Sequence, residues 1–443
     1  MYPQTVQPLR FVRLTAVGRG REVMLFRDAT LADGRVRDVR IDGESIAEVG
    51  TGLDGADETV DVDGKLLLPG MIDAHVHFRE PGFSHKETWR TGSKSAAAGG
   101  VTTVFDQPNT EPPTVDAAGY ERKAELASAS LVDYAINGGV TDAWVPDELL
   151  GKPIGALGEV FLADSTGEMG IDTERYEEAV KRAREAGVPI TVHAEDATLF
   201  DESAEDRTDA DAWSAYRTAA AEIEAIRHAC RVADDLGARV HIAHTSTPEG
   251  VEAVSESGMT CEVTPHHLFL SRSDLEDLGT FGRMNPPLRS DDRRESMVRL
   301  LVDGEIDIVA TDHAPHTRTE KDAEIWDAPS GVPGVETALP LLLEEARNGR
   351  IGYERIRDVT ATNVADIFGL EHRGRIEAGN HADLVVVDTD ASVPIQGEDL
   401  HSKCSWTPFE GRLGVFPELT MVRGRVVFRD GEFADTAGRN IRC

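Results

Sequence analysis

Cysteine is scarce in this chain, and lysine is nearly so. Four cysteines are spread over 443 residues, at Cys230, Cys261, Cys404 and Cys443, with no CxxC spacing. Neither a disulfide framework nor a cysteine zinc knuckle is expected from that pattern. Only eight of the 46 basic residues are lysine, whereas aspartate and glutamate total 80 and the formal net charge is −34. A field of that sign repels a phosphate backbone, so nucleic acid is not an expected partner. No apolar run approaches the roughly 20 residues of a bilayer span. The opening stretch "MYPQTVQPLRFVRLTAVGRGREV" lacks the apolar centre of a secretion signal. The expectation is a cytoplasmic protein with no membrane partner.

The acidic residues are dispersed, as in "DDRRESMVRLLVDGEIDIVATD", rather than gathered into one tail. A tail would suggest an interaction segment. Dispersed charge suggests a hydrated surface adapted to high salt, where screening suppresses self-repulsion, and hence a halophilic source.

The length predicts one large domain and a smaller one. Short β-branched runs recur at "LLLPGMIDAHVH", "VTTVFDQ", "VDYAINGG", "IGALGEVFLA", "VPITVH", "ARVHIAH", "TCEVTP" and "IDIVATD", eight in all. Helix-compatible stretches such as "SHKETWRTGSKSAAAGG", "DTERYEEAVKRAREAG" and "DDRRESMVRLLVDG" separate them. The alternation predicts an α/β fold, a (β/α)₈ TIM-type barrel over residues 68–373. Residues 24–67 and 374–443 read instead as short alternating strands with Gly and Asp turns. They are expected to combine into one small discontinuous β-sandwich built from both chain ends. Residues 1–23 match neither texture and read as an extension, or as sequence upstream of a start at Met24.

Active-site groups of such a barrel sit at the C-terminal strand ends. His75 and His77 end the first run, His193 ends "VPITVH", His244 ends "VHIAH", and Asp312 ends "IDIVATD" with His313 and His316 just after it. One histidine at a strand end is ordinarily a satisfied core residue. Five metal-capable side chains at strand ends are not explained by packing. Four imidazoles and a carboxylate suit Zn²⁺, and four imidazoles exceed what one catalytic metal needs, so two metals are expected, with a carboxylate between them. Arg79, two residues beyond His77, would share its face if the strand continued, and would suit an anionic ligand.

"DAHVHFREPG" and "ATDHAPH" resemble the two signatures of dihydroorotase, in the cyclic-amide branch of the amidohydrolase superfamily. The similarity includes "AAAGGVTTVFDQPNTEPPT", "VHAED", "HIAHTST", "VTPHHL", "RMNPPLR", "VPGVET" and "PFEGRLG". The resemblance implies that His75 and His77 bind one zinc and His193 and His244 the second, with Asp312 both ligating the first and shuttling the proton. It implies that Arg79 and Asn109 grip a substrate carboxylate, that His316 adds a further carboxylate contact, and that Asn285 contacts the ring. Ser330 and Gly331 match where the family approaches the ring through backbone groups. Many relatives bridge the metals with a carboxylated lysine. Here the register of "VFLA" places Glu159 at that position, with Asp164 as the alternative. His266 and His267 read as structural, because the metal shell is already filled.

The implied reaction is reversible cyclisation of N-carbamoyl-L-aspartate to dihydroorotate and water, in pyrimidine synthesis. Two rivals stand beside it. An allantoinase or dihydropyrimidinase would act on a ring without the carboxylate, and would not be expected to carry Arg79 with Asn109. An inactive assembly partner of another pyrimidine-pathway enzyme would be expected to have lost metal ligands. A small-molecule substrate is the one partner implied; a homo-oligomer is left open.

Overall fold

The apolar run "LLLPGMIDAHV" reads as one strand but supplies two. In the computed structural model, which describes residues 23–163, 169–435 and 438–443, Leu66–Pro69 belongs to one sheet and Met71–Val76 to another. Gly70 is the pivot between them. A Cβ at Gly70 would drive into the Thr102 side chain, so only glycine lets the two strands part there.

The flanking strands are β1 (Val23–Leu31), β2 (Val36–Asp42), β3 (Ser45–Gly50), β4 (Glu58–Asp61) and β5 (Leu66–Pro69). The barrel strands are β6 (Met71–Val76), β7 (Val101–Asp106), β8 (Asp133–Ile136), β9 (Leu157–Phe161), β10 (Ile190–His193), β11 (His241–Ile242), β12 (Thr260–Val263) and β13 (Ile308–Val309). Four more follow: β14 (Leu384–Pro394), β15 (Leu413–Val422), β16 (Arg425–Arg429) and β17 (Glu432–Phe433).

Strands β1–β5 and β14–β17 form one nine-stranded sheet, ordered β17-β16-β15-β14-β5-β1-β2-β3 with β4 beside β1. The two ends of the chain meet where β14 pairs antiparallel with β5. Phe26, Val39, Ile41, Ile46 and Val60 from the first flank share one core with Leu384, Val386, Leu419 and Met421 from the second. Alternation along each strand sends these side chains to one face.

Strands β6–β8 and β9–β13 pair in parallel as two sheets. Parallel bridges at Gly138↔Leu157 and Val76↔His313 join them into a closed ring of eight. The helices between strands are set by ordinary signals. Thr173–Ala186 starts at Asp172, whose side chain accepts from Arg175 N, and stops at Gly187 with φ 67°. Its buried residues Tyr176, Ala179, Val180 and Ala183 follow the helical period and pack on the barrel. Residues 438–443 return to the barrel, where Tyr134 N donates to Arg439 O at 2.9 Å. No helix among the described residues is long and apolar enough to cross a membrane.

Candidate metal centre and active site

The C-terminal ends of the barrel strands deliver their side chains to one point. β9 carries Glu159, buried at 3% exposure. Its Oε1 lies 2.5 Å from His244 Nε2 and 2.9 Å from His193 Nδ1. Its Oε2 lies 3.3 Å from His75 Nε2. His77 Nε2 lies 2.9 Å from Asp312 Oδ1, and Asp312 Oδ1 is 3.6 Å from His75 Nε2. Two sets of candidate ligand atoms result, His75–His77–Glu159 and Glu159–His193–His244, each within 4.8 Å of one another. Glu159 belongs to both. Asp164, the alternative bridging carboxylate, lies outside the described residues.

A second ring of groups fixes the imidazoles from behind. His75 Nδ1 meets Glu262 Oε1 at 2.6 Å, and Glu262 also accepts from His244 N at 3.2 Å and lies 3.2 Å from His241 Nε2. His193 Nε2 meets Glu195 Oε2 at 2.9 Å, and Glu195 is held by the Arg217 guanidinium. His77 Nδ1 meets Asn109 Oδ1 at 2.7 Å. Partners of this kind orient a metal-ligating imidazole and raise its basicity. The Glu159 backbone N–H donates to Gln107 Oε1 at 2.8 Å, and Gln107 is braced by Asn137 Nδ2 at 3.1 Å. Sequence reasoning passed over Glu195, Glu262 and Gln107. The visible signal for the first was a carboxylate two residues after His193.

The electrostatics show a site built to receive positive charge. Burial alone would depress His75, but Glu262 and Glu159 outweigh it and hold the imidazolium well above the ordinary histidine value. For His193, burial is again opposed by Glu159 and Glu195, which push it up to about 9. Burial opposes ionisation of Glu159, yet His75 and His244 hold its carboxyl well below the usual range. Asp312 is likewise held low against burial by its hydrogen bond to His77 and by His75. The carboxylates that raise His75 and His193 are the same ones that would favour a bound cation. His75 Nε2 is buried without a hydrogen-bond partner among the described residues, although it faces two carboxylates. Two overlapping N/O donor sets with such an orphaned nitrogen fit a pair of divalent metal ions.

A cavity opens over this cluster. It is lined by ten of the twelve sequence-predicted site residues, together with Phe161 and Ala314. The two exceptions are His75, 3.3 Å from Glu159, and His316, 3.1 Å from Arg79. The strand does not continue to Arg79, as the alternation argument required. β6 ends at Val76, and Arg79 adopts φ +66°. The turn still directs its guanidinium inward: Nε donates to Pro315 O at 3.2 Å, and NH2 lies 3.1 Å from His316 Nε2. Arg79 is 3% exposed, and burial brings it down to about 10.

Asn285 also lines the cavity, and its Oδ1 accepts from Trp213 Nε1 at 2.9 Å and from Ser330 Oγ at 3.2 Å. Gly331 has φ +130°, and a Cβ there would sit 2.6 Å from Ala314 O. Only glycine brings the backbone this close to the cavity. His267 is a satisfied core histidine, bonded to Thr264 Oγ1 at 2.8 Å and Pro286 O at 3.0 Å. A larger cavity of about 260 Å³ lies among Asp33, Arg35, Arg357 and Arg375. Its arginines are already paired, with Asp33, Asp358 and Asp366, and it holds no such donor cluster.

The model of the amidohydrolase family matches residues 66–427. The chain is 63% identical over 420 residues to dihydroorotase of Halobacterium salinarum, covering 94% of this chain and 99% of that protein. It is 34% identical over 417 residues to allantoinase of Escherichia coli, covering 89% and 92%. Among solved structures, L-hydantoinase (dihydropyrimidinase) from Arthrobacter aurescens aligns with a TM-score of 0.89 at 28% identity, over 94% of this chain and 98% of that one.

Proposed function

This chain belongs to the amidohydrolase family, and from that premise we propose that it is a metal-dependent dihydroorotase. It interconverts N-carbamoyl-L-aspartate with dihydroorotate and water in pyrimidine synthesis. The observation that carries the metal reading is the single carboxylate, Glu159, touching His75 through one oxygen and His193 and His244 through the other. The observation that carries the substrate reading is the buried Arg79 guanidinium in the cavity over that cluster, which Asn109 also lines.

His75, His77 and Asp312 would hold one zinc ion, His193 and His244 the second, and Glu159 would bridge them. When bound, such a pair supplies Lewis acidity and lowers the pKa of water. The chain's own residues do the rest. Arg79 fixes the ring carboxylate, and Asn285, Ser330 and the Gly331 backbone hold the ring in the cavity. In hydrolysis, water adds to the ring carbonyl carbon and the bond from that carbon to the ring nitrogen breaks. Asp312, kept ionised by His77 and His75, accepts the proton that water loses and returns it to the departing nitrogen. Cyclisation runs the same transfers in reverse.

A substrate panel tests this reading. Dihydroorotate, allantoin and dihydrouracil offered to the purified protein at molar salt should give turnover dominated by dihydroorotate. A preference for allantoin or dihydrouracil would move the assignment to the cyclic amidases whose substrates lack the carboxylate.

A further inference from the structure

Behind Arg79 lies a contact that the reaction has not yet used. His316 is 1% exposed, and each of its ring nitrogens has a partner. Nδ1 lies 3.0 Å from the Lys86 ammonium, and Nε2 lies 2.9 Å from Ser330 O and 3.1 Å from Arg79 NH2. Lys86 is itself held by Glu320 Oε1 at 3.2 Å and lies 5.3 Å from the centre of the Phe83 ring.

These distances decide the tautomer. Burial, together with Arg79, Lys86 and Lys321, holds His316 well below the ordinary histidine value, so the ring is neutral and carries one proton. An ammonium can only donate, so Nδ1 must accept from Lys86, and the proton must then sit on Nε2. From there it is donated to Ser330 O. Nε2 therefore has no lone pair to offer Arg79, and the guanidinium faces it without being bonded to it. In the opposite tautomer, Nδ1–H would oppose Lys86 and a bare Nε2 would face the Ser330 carbonyl. Nε2 would then accept from Arg79 NH2, tying up a donor that the substrate carboxylate needs.

We propose that Lys86 is a positioning residue for carboxylate recognition. By occupying His316 Nδ1 it fixes the Nε2–H tautomer, which keeps the Arg79 guanidinium available to the ligand and anchors the Ser330 carbonyl. This rests on the dihydroorotase reading, and it adds a residue with no direct place in the cavity lining. Lys86 acts through His316, so its effect belongs to substrate binding and not to metal binding.

The test is steady-state hydrolysis of dihydroorotate by the parent, Lys86→Met, Lys86→Arg, His316→Asn and the Lys86→Met/His316→Asn double variant, with bound metal and melting temperature measured on each. Lys86→Met should raise KM on the order of tenfold, the worth of about one charge-assisted hydrogen bond. Its kcat should change by less than about threefold, a small effect on the scale of transition-state losses, and its metal content should match the parent. Lys86→Arg should recover most of the KM. In the His316→Asn background the Lys86→Met substitution should add nothing further, because the interaction it removes is already gone. An unchanged KM in Lys86→Met, the same rise in both backgrounds, or loss of bound metal would overturn the proposal while leaving the dihydroorotase reading intact. A parent that does not turn over dihydroorotate would overturn that reading, and the role of Lys86 with it.

Discussion

Replacing Arg79 by lysine separates recognition of the carboxylate from every other part of the site. Both side chains carry a Cβ, so the left-handed backbone at φ +66° is equally strained in either. Both are cations, so the charge is kept. What changes is geometry. The guanidinium donates through Nε to Pro315 O at 3.2 Å while its NH2 lies 3.1 Å from His316 Nε2. Its fork can give a carboxylate two parallel bonds, and an ammonium cannot reproduce that. Losing one charge-assisted bond in a site that is 3% exposed should cost about 1.5–3 kcal/mol, or roughly 10- to 150-fold in kcat/KM for dihydroorotate. Dihydrouracil has nearly the same ring without the carboxylate, so its kcat/KM should hardly move. The ratio of the two, measured in parent and variant at molar salt, should therefore fall by that factor while bound metal stays constant. A ratio that survives the substitution would refute the assignment of Arg79, and equal rates on both substrates in the parent would refute the substrate itself.

Glu159→Gln should weaken metal binding by at least ~10–100-fold, the range seen when even an outer partner is removed; competition with a graded series of chelators measures it, and undiminished affinity would exclude a bridging role. Glu262→Gln, which removes the charge behind His75 Nδ1 at 2.6 Å, should fall within that same ~10–100-fold range, with unchanged affinity as the contrary result. Lys123→Met should destabilise the fold by about 3–5 kcal/mol, because it strands the fully buried Asp106 carboxylate that now pairs with Lys123 at 2.6 Å; denaturant unfolding reads this, and a loss below about 1 kcal/mol would show the pair to be dispensable. Because the net charge of −34 is dispersed, the denaturation midpoint should rise strongly from low to molar KCl, and a flat profile would contradict the screening argument.

The parts of this architecture that obey a local rule were legible in the sequence. The eight barrel strands announce themselves by β-branched runs, and His193 and His244 by ending such runs. The place of Glu159 comes from the resemblance, since the register of "VFLA" sets it where many relatives carry the bridging lysine. The failures have a common cause, which is that a strand's end is set by tertiary contacts. "LLLPGMIDAHV" looks continuous because hydrophobicity does not record that Gly70 abuts Thr102 and turns the chain from one sheet into another. Arg79 reaches the site for a different reason from the one alternation suggested, by a left-handed turn beyond Val76. The long-range pairings were not visible because their members lie far apart in the chain: Glu262 is 187 residues from His75, and Lys86 is 230 from His316. No periodicity within one segment encodes a contact of that span.

If four histidines, Glu159 and Asp312 form one centre for a metal pair that serves dihydroorotate, turnover and bound zinc must rise together. The most direct measurement is dihydroorotate turnover while zinc is titrated into chelator-stripped protein at molar salt, with bound zinc counted at each point. Turnover should be negligible without metal and full as bound zinc approaches two per chain, as in other two-metal hydrolases. Full activity in protein carrying less than about a tenth of a metal ion per chain would contradict it, because the water chemistry assigned to this centre depends on the bound cations.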